Sequence, residues 1–430
     1  MKRIIQFIVI AALSCPLKAG QLTLYDCYDK AVKTHPVQRE YRDRRLIYNL
    51  NVRNLNTGWL PSLEADASAT YLSDVAKFDR ILGSLPVQIP TNSLPAMPHD
   101  QYKMTVQFYQ TVYDGGSIGA GKKVEKASLE ADLLALDSEI YKIRDQVNHA
   151  YFGLLNLQKQ SELASIYYDE IQERRAALSS RVKNGVVLQS NLDILDAELL
   201  KISQQIAELD IRQIKARNIL AQLIGENAEN ADVSLPEIPA PPESHITRPE
   251  IKWFEQQRAV LDMKKEAIKS QNLPKAFVFG TYGYGQPPGS DFFTNHFKTY
   301  YTVGAAVSWN FFNWNNSKRN RQILNARQNM ITAREDNFIK QTQIALQNYR
   351  AEIDRYKVLQ EGDKNLISLR EKIKQTAASQ LNNGIITSTE FLTELDAEHE
   401  ARINYELHKI QWIQAQIDYL TVSGQIKNEE

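Results

Sequence analysis

Residues 101–116 read QYKMTVQFYQTVYDGG, and residues 300–315, 199 positions later, read YYTVGAAVSWNFFNWN. In the first stretch Tyr102, Met104, Val106, Phe108, Gln110 and Val112 alternate with Lys103, Thr105, Gln107 and Thr111. In the second, Tyr301, Val303, Ala305, Val307, Trp309 and Phe311 alternate with Thr302, Gly304, Ala306, Ser308 and Asn310. Alternation at period two places one class of side chain on each face of an extended strand. Directly afterwards the period changes: Gly116 to about Val182, and Asn315 to about Leu381, contain no proline and carry a helical pattern. A strand running into a helix of some 67 residues, about 100 Å at 1.5 Å per residue, therefore occurs twice in one chain.

The surrounding sequence repeats as well. Asn184-Gly185 matches Asn383-Gly384, and Gly225 matches Gly424, at the offset of 199, whereas Pro36 and Pro61 match Pro249 and Pro274 at 213. The difference, 213 − 199 = 14, assigns 14 extra residues to the first copy between Pro61 and Asp114. Two similar units standing side by side are expected. Each opens with a helix, starting at Thr23 with Asp26 three places on, or at Thr247 with Pro249 and Glu250, and expected to run to Pro61 or Pro274.

A first strand follows each of these prolines. Leu63, Ala65, Ala67, Ala69 and Tyr71 alternate with Glu64, Asp66, Ser68 and Thr70, while the third strand, Ala276 to Gly285, is less regular. Its Gly-Tyr-Gly-Tyr-Gly is no phosphate loop, because Pro287-Pro288 follows instead of a helix start. The hairpins close through residues 73–101, with four prolines, and 287–299, which is where the 14-residue difference falls. Strands of roughly ten residues with aromatics at their ends have the length to cross a bilayer as tilted β-structure. The strands taken alone are equally compatible with a soluble two-hairpin sheet.

The long helices carry seams. Leu129, Leu133, Leu136, Ile140, Ile143, Val147, Ala150, Leu154 and Leu157 alternate by four and three, as in a helix that packs along another. Asn184-Gly185 breaks the helix, and Leu188, Leu192, Leu195, Leu199, Ile202, Ile206 and Leu209 begin a returning seam. The second copy does the same past Asn383-Gly384 with Phe391, Ala401, Tyr405, Trp412, Ala415, Tyr419 and Val422. The expected fold is mainly α with a small β part, built on duplicated long α-helical hairpins. Its organisation is a signal peptide (1–19), a first repeat (20–225; β-hairpin 61–113, helical hairpin 116–225), a proline-rich linker (226–246), a second repeat (247–424; β-hairpin 274–312, helical hairpin 315–424) and a tail (425–430).

Bulk properties narrow the function. MKRIIQFIVIAALSCPLKAG has a basic start, an apolar run from Ile4 to Leu13 and small residues, the layout of a secretory signal. No stretch approaches the length of a transmembrane helix. Removing residues 1–19 takes away Lys2, Arg3 and Lys18, so 51 − 3 = 48 basic residues face 51 acidic ones, and no basic footprint for nucleic acid exists. Cys15 has an alternative reading as a lipid-bearing N-terminus, but Leu13 lies one place too late and Pro16 follows. Cys27 is expected as a small buried side chain.

The seven histidines show no zinc-type spacing, and neither a nucleophile elbow nor a P-loop is present. No enzyme, cofactor or metal site is indicated. The acids just past the glycine turns matter more: Glu390, Glu394 and Asp396, with Asn191, Asp193 and Asp196 in the first copy. Repeated around an axis, such groups would form a ring that tunes cation passage or gating; the plain alternative is ordinary exposed charge. Lipid-facing strands cannot leave bare edges in hydrocarbon, so a spanning sheet demands a closed ring of chains.

At this point the residues resemble the TolC family of outer-membrane efflux and secretion channels. The matching motifs are Leu22-Thr23-Leu24 with His35-Pro36, Trp59-Leu60-Pro61-Ser62-Leu63, and Thr111-Val112-Tyr113-Asp114-Gly115-Gly116. They continue with Asn184-Gly185 to Ser190, Asp196-Ala197-Glu198, Arg248-Pro249-Glu250, Asn383-Gly384 and Asp396-Ala397-Glu398, the last triplet being offset by 200. The resemblance implies a homotrimer whose four strands per chain build one twelve-stranded transmembrane β-barrel, continued by an α-barrel across the periplasm of a Gram-negative bacterium. It also implies docking of the tips to a periplasmic adaptor protein coupled to an inner-membrane pump, through Gly185, Val186, Val187, Ser190, Gly384, Ile385, Ile386 and Thr389. Asn191, Asp193, Glu390, Glu394 and Asp396 are the gate or acidic-ring candidates; a second family acid falls on Thr393 here. The expected function is the passive outer-membrane duct of a tripartite efflux or type I secretion system. The competing reading is a periplasmic coiled-coil adaptor or scaffold without a pore.

Overall fold

The structure, a computed structural model, describes residues 22–75, 97–226, 232–238, 245–291 and 294–426. The expected signal peptide with Cys15, most of the first hairpin loop and parts of the linker lie outside the described residues. The chain divides into two compact units, each drawing on both repeats: residues 41–134 with 252–334, and residues 1–40 with 135–251 and 335–430.

The first unit holds a four-stranded antiparallel sheet, β1 (Ser62–Tyr71), β2 (Asp100–Tyr113), β3 (Lys275–Gln286) and β4 (Lys298–Ser308), in that spatial order. Its register gathers the alternating residues onto two faces. One face is apolar across all four strands: Ala65 pairs with Val106, Val106 with Tyr282 and Tyr282 with Tyr301, and Ala67–Met104–Tyr284 forms the adjoining row. These side chains are exposed; Met104 is 63 % and Val303 72 % accessible. The opposite face is mostly polar, with rows Glu64–Gln107–Thr281–Thr302 and Ser68–Lys103–Gly285–Lys298. On it Tyr109, Phe277 and Phe279 cluster, ring centroids 5.6 to 6.3 Å apart. Aromatics on the otherwise polar face are what make the third strand irregular in sequence. Two rings lie on glycine: a Cβ on Gly304 would meet Phe279 at 2.6 Å, and one on Gly283 would meet Tyr300 at 2.5 Å.

β4 ends three residues short of the expected Phe311. Its pairing stops where β3 begins at Lys275, opposite Ser308, because the preceding Pro274 has no N–H for a ladder. Trp309, Phe311, Phe312 and Trp314 follow the strand and are all exposed. Also in this unit, Leu55 of helix α2 (Val37–Thr57) packs against Gly121 of α3 (Ser117–Lys183), and Asp114 accepts from the N–H groups of Gly116 (2.8 Å) and Ile118 (2.5 Å) to start α3.

The helix expected from Thr23 to Pro61 is instead two, α1 (Leu24–Thr34) and α2. His35 stands extended at ψ 134°, as a residue before proline must when the ring crowds the α region. α1 starts with a capping box between Thr23 and Asp26, and its Leu24, Cys27, Tyr28 and Ala31 are buried in the second unit. There they join Val147, Tyr151, Phe152 and Leu154 of α3, Leu220 and Ile224 of α4 (Gln189–Ile224), and Ile413, Ile417 and Leu420 of α7 (Ser388–Ser423). Each such side chain contributes about 1.5–3 kcal/mol of burial. A polar network runs through this core: the Tyr28 hydroxyl donates to Asn148, whose amide donates to Asp418 (2.9 Å) and Thr421 (3.0 Å). Burial pushes the Asp418 carboxyl up to about 6.

The remaining helices are α5 (Pro249–Ser270) and α6 (Asn316–Asn382). α3 and α6 each have 67 residues, α4 and α7 each 36. Gly225 and Gly424 end the returning helices in the left-handed region at φ 70° and 89°, the usual place for a glycine cap.

Candidate functional site: the paired hairpin tips

Both tips lie in the second unit and have one backbone design. Gly185 (φ 69°) and Gly384 (φ 72°) follow the long helices. The next N–H returns to the carbonyl five residues back, Val186 to Arg181 (3.0 Å) and Ile385 to Gln380 (2.9 Å), a Schellman closure that needs a residue tolerant of positive φ. Val186 and Ile385 are 65 % and 69 % exposed. Ser190 and Thr389 are also exposed, while Val187 and Ile386 are half-buried. Leu188, expected in the returning seam, is exposed instead, since it precedes the first turn of α4.

The tips pack on each other. Leu178, Leu195 and Ile202 of the first hairpin share a core with Ala377, Leu381, Phe391 and Leu395 of the second. Above this core polar groups tie the repeats together. The Tyr167 hydroxyl donates to Asp396, and its ring stacks on His399 at 4.3 Å and 13°. Lys374 lies 3.2 Å from both Glu170 and Glu398, and Arg402 also pairs with Glu398. Glu398 is 2 % exposed, so this pairing is what allows its charge to sit there. Burial pulls His399 below its usual pKa.

The five gate candidates each engage a different partner, some within their own turn and some across the repeats. Glu390 closes a capping box with Thr387, accepting from its N–H (2.8 Å) and hydroxyl (3.0 Å); the backbone bond holds its pKa below the ordinary carboxylate value. Asn191 accepts from the Ser388 N–H across the repeats (3.0 Å), and Asp193 accepts from Gln189 (2.9 Å). Glu394 pairs with Arg370 at 3.2 Å, and Asp396 holds Tyr167. Within one chain Asn191 alone of the five joins the two tips at their ends. Ile386, Glu390 and Glu394 line an open groove of about 370 Å³ with Lys372, Ile373 and Gln380. Among the described residues no group of three His, Cys, Asp or Glu could hold a metal ion.

The Asp-Ala-Glu triplets are not equivalent. Asp196 pairs with Arg175 (2.7 Å) and Glu198 with Lys201 (2.8 Å), whereas Glu398 is buried between Lys374 and Arg402.

Residues 44–226 match the family described as outer membrane efflux protein. No curated protein sequence matches the chain. The fold matches the outer membrane protein VceC of Vibrio cholerae at 15% identity and TM-score 0.64, covering 93% of this chain and 96% of that one. It matches the Campylobacter jejuni CmeC outer membrane channel at 14% and 0.63 (95% and 87% covered), and the Neisseria gonorrhoeae MtrE outer membrane channel in its open state at 14% and 0.62 (94% and 90%). The resemblance to the TolC family is thus borne out, by the family match over the first repeat and by the fold over nearly the whole chain. Over the first repeat the chain thus matches a family of outer membrane efflux proteins, and over nearly its whole length it has the fold of these outer membrane channels.

Proposed function

We propose that the chain is the exit duct of a tripartite efflux or type I secretion system: a homotrimer whose sheets close into one transmembrane barrel and whose helical hairpins line a tunnel across the periplasm. The observation that carries this reading is the sheet with a continuous apolar face and two unpaired edges, β1 and β4. Bare edges are untenable in hydrocarbon, and three copies of four strands remove all of them. Apolar residues exposed on the helices support the same ring: Ile323, Met330, Ile344 and Val358 of α6 are exposed and lie 7, 14 and 14 residues apart, on one helix stripe. Passengers would leave through the polar inner wall. The energy must come from a partner, here an inner-membrane pump reached through a periplasmic adaptor at the tips.

Purified protein should run as a trimer in detergent and open conducting channels in planar bilayers; a water-soluble monomer without conductance would refute the duct and favour the scaffold. Gly185→Asp and Gly384→Asp should leave trimers intact yet sensitise cells to the exported compound. Unchanged sensitivity would remove the tips from adaptor docking.

A further inference from the structure

The two strand-to-helix turns share a backbone but not their surroundings. Gly115 and Gly116 stand at φ 69° and 82°; their equivalents at the offset of 199, Trp314 and Asn315, stand at φ 51° and 59°. Left-handed backbone is unfavourable for a bulky residue because Cβ crowds the following carbonyl, and Asn tolerates it better than Trp. The first turn is tightly packed. A Cβ on Gly115 would lie 3.0 Å from Leu273 Cβ, 3.1 Å from the Ser270 carbonyl and 3.3 Å from that of Pro274. The first repeat's turn thus sits in a socket that the second repeat provides between α5 and β3.

Among the described residues the second turn has no such cover: Trp314 is 77 % exposed and touches Phe312 edge-on at 4.8 Å. The first repeat in turn owns a socket without an occupant. At the offset of 213 the counterparts of Ser270, Leu273 and Pro274 are Thr57, Leu60 and Pro61, and Leu60 is 62 % exposed. One chain therefore ends with a turn lacking a socket and begins with a socket lacking a turn. We propose that Trp314 of one copy packs on the Thr57–Pro61 socket of the next copy, repeating between chains the contact that Gly115 makes with Leu273 within one. This rests on the ring assembly proposed above. Glycine suits the close intrachain contact, and the indole fills the seam between copies, which is what sustains Trp314 in a strained conformation.

The test is disulfide trapping. A disulfide spans Cβ atoms about 3.5–4.5 Å apart, a little more than the 3.0 Å of the intrachain counterpart, so a Leu60→Cys/Trp314→Cys double variant, oxidised with copper phenanthroline, should shift from monomer to covalent trimer on non-reducing gels and return on reduction. Leu60→Cys and Trp314→Cys alone should stay monomeric; Cys27 is buried and takes no part. Co-expressed with different tags, the two single variants should give a mixed covalent dimer. If the double variant stays monomeric on the gel while sizing shows a trimer, the contact is wrong and the duct survives. If no oligomer forms at all in wild-type protein, the ring itself is wrong.

Discussion

The two hairpin tips have the same closing turn and opposite ways of starting the returning helix. In the second, Thr387 and Glu390 cap α7 from within. In the first, Leu188 occupies the cap position with no side-chain bond, and the nearby Asn191 spends its carbonyl on Ser388 of the other repeat. One tip is self-sufficient, and the other exchanges its own cap for an exposed leucine and a strut to its neighbour. The two tips therefore share a backbone and differ in the side chains that start the returning helices.

The contrast is meaningful only if the tips are held together, so the largest test removes that hold. Glu398→Ala leaves Lys374 and Arg402 facing a cavity and should destabilise the paired hairpins by about 3–5 kcal/mol, read as a lowered denaturation midpoint in detergent; a change below 1 kcal/mol would mean that the tips are independent.

Acid separates the tips from the base of the hairpins. Asp418, raised to about 6 from 3.8, favours the folded state when protonated, so its contribution is fully present below pH 4 and lost as pH rises through 6. Two pK units amount to about 3 kcal/mol. Asp418→Asn should abolish this window and stabilise the protein at pH 7; an unchanged pH profile would show that the carboxyl is not the sensor. Glu390, depressed by its cap, works in reverse: its support holds above the ordinary carboxylate range and fades on acidification, loosening only the second tip.

Smaller effects compare the caps directly. Thr387→Ala should cost about 0.5–2 kcal/mol and speed hydrogen exchange in the first turn of α7 but not of α4. Leu188→Thr should gain a few tenths up to about 1 kcal/mol by supplying a cap, yet weaken adaptor binding if the exposed leucine is a docking contact. Equal exchange rates in both tips of the wild type would dissolve the comparison.

Strands and glycine turns were legible because period-two alternation and positive-φ closure are local. The break between α1 and α2 was misread because Pro36 was taken as a marker of the repeat, although the same proline forces His35 out of the helix. The contacts of Tyr167 with Asp396 and of Lys374 with Glu170 were invisible in sequence, since partners more than 200 residues apart leave no spacing to recognise. The gate candidates stand out by position, but their partners depend on rotamers and long-range contacts that no periodicity encodes.

The inner wall of the sheet carries one further consequence. Tyr300 and Phe279 lie flat because Gly283 and Gly304 offer no side chain beneath them. A methyl group at either glycine would lift its ring off the wall, and three copies doing so together would narrow the bore like the leaves of an iris. In the proposed trimeric duct, two absent side chains would thus set the calibre at this level, and replacing them would throttle flow without touching a charge or a loop.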